Sequence, residues 1–333
     1  MRIFINGFGR IGRSVLRALM LERARGGARW PLLEVVGIND IAPPEMCAYL
    51  FEYDSVFGPW RGSVARAPGA LVIDGLAIAL HRVADLSCLD LSNVDVVFEC
   101  TGRADDATIA GQGLAGGAGR VLISGPSRAA DFTVVLGAND AGLGAQRIVS
   151  NASCTTNALA PLAAALDAEF GIVTGSMTTI HCYTGSQPTV DAPAADFARS
   201  RAAALSMVPT TTSAGRLLDG VLPHLAGRLI AQAVRVPTAS VSAVDLAVMT
   251  TRPATPAAVN ALFTRLAAEG GVIGATEAAL VSTDLRARRE SVVMALPETR
   301  VTEGGLLRVF GWYDNEWGFS NRMLDIAERL AEL

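Results

Sequence analysis

A chain of 333 residues, half of them hydrophobic and 18% charged, is long enough for about two domains with substantial cores and is poorly suited to disorder. Its 28 basic residues face 32 acidic ones without forming a basic cluster, which argues against a nucleic-acid partner. Every basic residue is Arg and none is Lys, so lysine Schiff-base chemistry and the phosphate-gripping Lys of a P-loop are both excluded.

The opening MRIFINGFGR passes directly into a strand pattern, so no secretory signal is expected. No apolar run approaches the ~18 residues of a membrane span. Five Cys at irregular spacing suit neither a disulfide framework nor a zinc site, so a cytoplasmic protein without metal is expected.

Residues 2–6 read as a strand, followed by Gly7-Phe8-Gly9-Arg10-Ile11-Gly12 and a helix from Arg10 to about Arg25, with Ile11, Val15, Leu16 and Leu19 at helical spacing. Apolar runs at 32–38 and 94–98, Ala-rich helical segments and a strand at 120–123 continue the alternation. Such alternation predicts parallel crossovers and a doubly wound sheet. The Ala/Gly-rich stretch 111–119 reads as compositional bias. From Ala152 the texture changes. A long helix to Phe170 and a strand at 177–180 lead into an irregular stretch, 183–209. Strands then follow at 229–236, 240–249, 291–296 and 306–312, which fits a mixed or antiparallel sheet. Residues 315–333 close the chain as an amphipathic helix. The expectation is α/β: a doubly wound Rossmann domain formed by 1–152 with the C-terminal helix 316–333, and a second, α+β catalytic domain over 153–315.

Gly-x-Gly-x-x-Gly between a strand and a helix suits a dinucleotide. The glycines let backbone approach the pyrophosphate, and the helix start supplies free N–H groups. Asp40 ends the next strand, where a carboxylate can accept from the ribose hydroxyls of NAD and repel a 2′-phosphate. It lies further along than the ~20 residues usual for that role. The alternative is an exposed turn Asp.

Asn151-Ala-Ser-Cys-Thr-Thr-Asn157 places Cys154 at a helix start, where N–H donors and the helix dipole favour thiolate. Cys47, Cys88 and Cys100 lie in apolar runs and read as core. His181 follows a strand and can form an ion pair with Cys154 and act as its base. His81 and His224 have no comparable setting.

INGFGRIGR (5–13), SNASCTTN (150–157), TTIHCYT (178–184), RVPT (235–238) and WYDNEWGFSNR (312–322) together resemble the phosphorylating glyceraldehyde-3-phosphate dehydrogenase family over nearly the whole chain. The resemblance implies NAD-dependent oxidation of a phosphosugar aldehyde through a Cys154 thioester, with His181 as base and inorganic phosphate as acceptor. It implies that Thr184 and Arg235 hold the substrate's phosphate, and that Arg199, Thr212 and Ser213, with Ser153 and Thr155, hold the attacking one. Gly7, Phe8, Gly9, Arg10, Ile11, Gly12, Asp40, Arg82, Thr101, Ser124 and Asn315 would bind the cofactor. A homotetramer is implied, with the 183–209 loop between subunits. Ser213 stands where the family usually has Gly, and Ala158 replaces the usual second Cys. Ala104 replaces an aromatic beside the adenine, and Ala192 replaces a Leu, which leaves NADP tolerance open. Phe319 matches the wording of the erythrose-4-phosphate dehydrogenase branch, whereas Thr184 does not. Erythrose 4-phosphate as substrate, arsenate as acceptor and a non-catalytic redox sensor remain the alternatives.

Overall fold

The computed structural model describes residues 1–194 and 196–333; position 195, inside the long loop, lies outside the described residues. The chain forms two compact units: 1–134 with 141–152 and 320–333, and 135–140 with 153–319.

The first unit carries β1 (Arg2–Asn6), α1 (Arg10–Ala24), β2 (Glu34–Asn39), α2 (Pro44–Glu52), β3 (Val64–Ala67), β4 (Ala70–Ile73), β5 (Leu76–His81), β6 (Val96–Glu99), α3 (Ala107–Ala115), β7 (Arg120–Ile123), β8 (Phe132–Thr133) and β9 (Ile148–Ser150). They build a sheet of order β3-β4-β5-β2-β1-β6-β7-β9-β8. All pairings are parallel except the β3–β4–β5 meander at one edge. β1 sits between β2 and β6, so the chain order reverses there, and the crevice at the strand ends is the natural ligand site of such a sheet. β1, β6 and β7, at the centre of the sheet, are buried along nearly their whole length. The 111–119 stretch is not mere compositional bias. A Cβ on Gly113 would lie 2.9 Å from the Val97 side chain, and one on Gly119 would lie 2.9 Å from the Asp95 carbonyl oxygen, so bare backbone is what lets α3 and its exit turn approach the sheet.

The second unit carries α4 (Cys154–Phe170), β10 (Ile172–Cys182), β11 (Val208–Thr210), α5 (Ala214–Val221), β12 (Leu229–Val236), β13 (Ser242–Thr250), α6 (Pro256–Ala268), β14 (Ile273–Thr276), β15 (Val292–Ala295), β16 (Arg300–Val301) and β17 (Leu306–Tyr313); α7 (Trp317–Ala331) closes the chain. The sheet order is β11-β12-β10-β13-β17-β15-β14. It is mixed: β10 runs parallel to β12 but antiparallel to β13.

Two expectations are corrected. The segment 135–140 groups with the second unit, because Gly137 packs on Pro161 of α4 and on Val272 beside β14. Residues 316–319, placed with the Rossmann domain, also group with the second unit: the Asp314 carboxylate accepts from the Glu316 N–H at 3.0 Å and the Trp317 N–H at 2.8 Å, and the Asp314 carbonyl from the Gly318 N–H at 3.1 Å. Cys47 is core as expected, but Cys88 is exposed, its thiol donating to the Asp85 carbonyl. Among the described residues no helix is long and apolar enough to cross a membrane.

Candidate active site

The glycine-rich turn divides its labour. Gly7 has φ +91°, and a Cβ there would lie 2.7 Å from the Cys100 and Thr101 backbone. At Gly12 a Cβ would meet the Gly7 carbonyl oxygen at 2.2 Å, so α1 can start where it does only with hydrogen at that position. At Gly9 nothing stands within 4 Å, and the position opens onto a cleft lined by Gly7, Gly9, Asp40 and Thr101. Helix α1 has no side-chain cap and no acidic residue in its first turn. Its leading N–H groups therefore suit a pyrophosphate. The residues present fit a dinucleotide.

A Gly12→Ala enzyme is expected to lose NAD affinity tenfold or more and to unfold more easily by about 1–3 kcal/mol, because the turn itself must shift. Gly9→Ala should weaken NAD binding with little change in Tm. Fluorescence titration with NAD and thermal melts distinguish the two.

The Asp40 carboxylate accepts from the Phe8 N–H at 2.6 Å and the Ala42 N–H at 2.8 Å, which clamps it beside the glycine turn. Phe8 is buried, its ring stacked on that of Phe51, and it does not line the cleft. The Arg10 guanidinium pairs with Asp54. Ile11 is half-buried in the first turn of α1. Ser124 follows β7, its N–H donating to the Glu99 carbonyl at 2.9 Å. Arg82 is exposed and its Nε donates to the Ile41 carbonyl; the neighbouring Val83 and Ala84, not Arg82, line the cleft.

Sequence reasoning missed a polar relay across the strand ends. Asn39 Nδ2 donates to Asn6 Oδ1 at 2.8 Å, Asn6 Nδ2 donates to Glu99 Oε2 at 2.5 Å, and the Thr101 N–H and hydroxyl both donate to Glu99 Oε1. Burial raises the Glu99 carboxyl, while these donors oppose that shift. The signal was available: Asn6, Asn39 and Glu99 each end an apolar strand.

Ala152, the residue at which the first unit's 141–152 segment ends, adopts φ +52° and turns the chain into α4. Ser153 caps α4, its Oγ accepting from the Thr156 N–H at 3.0 Å. Cys154 is the first helical residue, and its own N–H and that of Thr155 point at the sulfur. Cys154 Sγ lies 3.6 Å from His181 Nε2. His181 sits near the end of β10, and the parallel register pairs it with Arg235 of β12. Arg235 Nη1 consequently lies 2.8 Å from His181 Nδ1 and 3.0 Å from the Cys182 carbonyl oxygen.

These surroundings act on the ionisation of both groups. Burial, reinforced by the Arg235 charge, pushes His181 down to about 4. Burial also raises the Cys154 thiol, against the Thr155 hydroxyl, Arg235 and the helix N–H groups. The folded chain keeps His181 neutral down to about pH 4, whereas the unfolded chain protonates it near its ordinary value of 6.5. Stability from this residue is therefore full above pH 6.5 and lost as pH falls towards 4, by on the order of 3 kcal/mol. Urea melts should show that decline in the wild type and a shallower one in His181→Gln.

Thr155 faces inward. It is buried, and its hydroxyl meets the Tyr313 hydroxyl at 2.9 Å, itself 2.8 Å from the Thr179 hydroxyl, while also facing the Cys154 sulfur. Tyr313 was not singled out from sequence. Arg199 Nε donates to the Thr210 hydroxyl at 2.6 Å and Nη2 donates to the Thr211 carbonyl at 3.1 Å, which brings the guanidinium beside the Thr212–Ser213 entrance to α5. Ser213 is the residue before α5 and makes no side-chain cap. Thr184 is half-buried, its hydroxyl 2.9 Å from that of Ser186. Asn315 is buried, and its Oδ1 accepts from the Cys182 thiol at 3.1 Å, leaving the amide nitrogen as its free end.

Residues 1–107 match the family model described as the glyceraldehyde 3-phosphate dehydrogenase NAD binding domain, and residues 153–315 match that of the C-terminal domain. Similar proteins named glyceraldehyde-3-phosphate dehydrogenase occur in Xanthobacter flavus (45% identical, 100% of this chain and 99% of the relative) and Pseudomonas aeruginosa (47% identical, 99% and 98%). Another, in Streptomyces coelicolor, is 41% identical over 98% of this chain and 97% of the relative.

Proposed function

The chain belongs to the glyceraldehyde-3-phosphate dehydrogenase family, and from that premise we propose that it oxidises glyceraldehyde 3-phosphate with NAD and phosphorylates the resulting thioester to 1,3-bisphosphoglycerate. The observation that carries this reading is the Cys154–His181 pair, with sulfur and ring nitrogen 3.6 Å apart at a helix start.

The Cys154 proton passes to His181 Nε2 as the sulfur attacks the aldehyde carbon. The Cys154 N–H and the imidazole stabilise the oxygen of the hemithioacetal. The imidazolium returns its proton to that oxygen, giving the hemithioacetal hydroxyl, and the neutral ring then takes the hydroxyl proton back while the carbon loses hydride. Bound NAD supplies the two-electron acceptor for that hydride. Thr184 and Arg235 hold the substrate's phosphate. Arg199, Thr212, Ser213 and Ser153 hold the inorganic phosphate that cleaves the thioester, which restores the sulfur. With no Lys in the chain, Arg performs all side-chain cation recognition of phosphate, for which its forked donors are suited.

The first unit takes the NAD, and Asp40 selects it over NADP. The free cysteines suit a reducing compartment, so the assigned location is the cytoplasm. The 183–209 loop exposes Val190, Phe197, Leu205 and Met207, with Phe197 95% exposed. An apolar patch of that kind calls for cover, which a homotetramer provides. A monomeric mass by light scattering at micromolar concentration would refute the tetramer. The activity is tested by NADH formation with glyceraldehyde 3-phosphate and with erythrose 4-phosphate, with phosphate or arsenate present or omitted. A higher kcat/KM for erythrose 4-phosphate would overturn the substrate assignment.

A further inference from the structure

Three polar side chains stand side by side at the strand ends in the middle of the first unit's sheet. The parallel registers pair Asn6 of β1 with Asn39 of β2 on one side and with Glu99 of β6 on the other. Asn6 and Asn39 are each 4% exposed and Glu99 is 2% exposed. Their hydrogen bonds run in one direction, and backbone fixes which. Asn39 Oδ1 accepts from the Val83 N–H at 2.9 Å, and its Nδ2 donates to the Val83 carbonyl at 3.0 Å. A peptide N–H and C=O cannot exchange those roles, so the Asn39 amide has one orientation. Its Nδ2 also faces Asn6 at 2.8 Å, so Asn6 must accept there through Oδ1, which leaves Asn6 Nδ2 to donate to Glu99 Oε2 at 2.5 Å. At the far end Glu99 Oε1 accepts from the Thr101 N–H at 2.9 Å and from the Thr101 hydroxyl. Position 99 therefore requires two acceptor oxygens. A carboxyl group supplies them, and a carboxamide of the same shape cannot. Asn6, Asn39, Val83 and Thr101 line the cofactor cleft, whereas Glu99 does not. Its three donors are all neutral, and burying an acid without a cation is costly, which points to a demand beyond filling space.

We propose that Glu99 is a positioning residue for the dinucleotide, a buried double acceptor that terminates a one-way hydrogen-bond chain and so ties Val83 and Thr101, both on the cleft lining, into place before NAD enters. With one acceptor missing, two donors face each other somewhere along the chain, and Asn39 cannot turn to relieve them. The lining then loses its fixed arrangement, and NAD must restore that order as it binds, at the expense of affinity. The inference rests on the first unit taking NAD in this cleft.

The test moves the double acceptor one residue along the chain. At pH 8, Glu99→Gln should bind NAD about tenfold more weakly or worse by fluorescence titration. Without NAD, its peptides containing Val83 and Thr101 should exchange amide hydrogen about tenfold faster than wild type, read by mass spectrometry. Asn6→Asp sets two carboxyl oxygens against each other and should show both defects. The double variant Asn6→Asp/Glu99→Gln restores a donor facing an acceptor at every link and keeps the wild-type net charge. It should bind NAD about threefold more tightly than either single variant, or better, and recover most of the exchange protection. A residue that merely filled space would give no such recovery. Glu99→Gln with wild-type affinity and exchange overturns the proposal. A double variant no better than Glu99→Gln overturns it too; if Glu99→Gln does not fold, the double variant must. Weakened binding with unchanged exchange in both peptides means that Glu99 does not act through the chain, and again overturns it. A wild type that binds no NAD refutes the cofactor reading itself, and the proposal with it.

Discussion

Replacing Cys154 by Ser is expected to lower kcat for NADH formation by about 10⁴-fold or more, with NAD affinity and Tm close to wild type. A hydroxyl in this setting stays protonated at pH 7, and the His181 nitrogen near it is a weak base because burial and Arg235 hold it down to about 4. Sulfur overcomes this handicap through its intrinsic nucleophilicity and its closer pKa. The product state changes as well: an oxygen ester is a poorer acyl donor to phosphate than a thioester, so both halves of the cycle suffer. Folding is spared, because the Cys154 and Thr155 N–H groups and the Thr155 hydroxyl that face the sulfur can bond an oxygen equally well. Steady-state turnover, NAD titration and thermal melts make the check. Appreciable residual turnover would remove the thioester from the mechanism.

His181→Asn should cost between about 10² and 10⁴ in kcat, the range for a positioned general base. The carboxamide can still offer an N–H to the developing oxyanion, so part of the electrostatic help remains, but nothing then receives the thiol proton. Two properties should change together. Iodoacetamide alkylation of Cys154 at pH 7 should slow, and the rate should recover as pH rises, because hydroxide replaces the missing base. A variant as fast as wild type at pH 7 would assign the proton transfer to another group.

The sequence disclosed the parts of the fold with strong periodicity and the parts of the site confined to short motifs. The strand–glycine turn–helix at the start, the strand over 120–123, the helix to Phe170 and the strand over 229–236 were readable because each is a long or uniformly apolar run. Helix α2 was not, since it opens on Pro43-Pro44, which reads as a turn, and β3 to β5 are short strands separated by Gly69 and Gly75. Cys154 announced itself through its flanking hydroxyls and helix. The contact between His181 and Arg235 could not be read. It comes from the parallel register of two strands whose partner residues stand 54 positions apart, and no linear pattern encodes register across that distance. The inward turn of the Thr155 hydroxyl was hidden for the same reason, because its partner Tyr313 is 158 positions away.

The all-guanidinium cation inventory has a consequence for the durability of such an enzyme. Glyceraldehyde phosphates condense with amines to carbinolamines, and acyl phosphates convert amines to stable amides. A lysine-bearing surface would be modified by its own reactant and its own product at every turnover. Guanidinium groups stay protonated and non-nucleophilic, and with no lysine among the 28 basic residues the side chains offer neither electrophile a target amine. Charge for phosphate recognition is thereby separated from reactivity toward the acyl phosphate that the recognition produces.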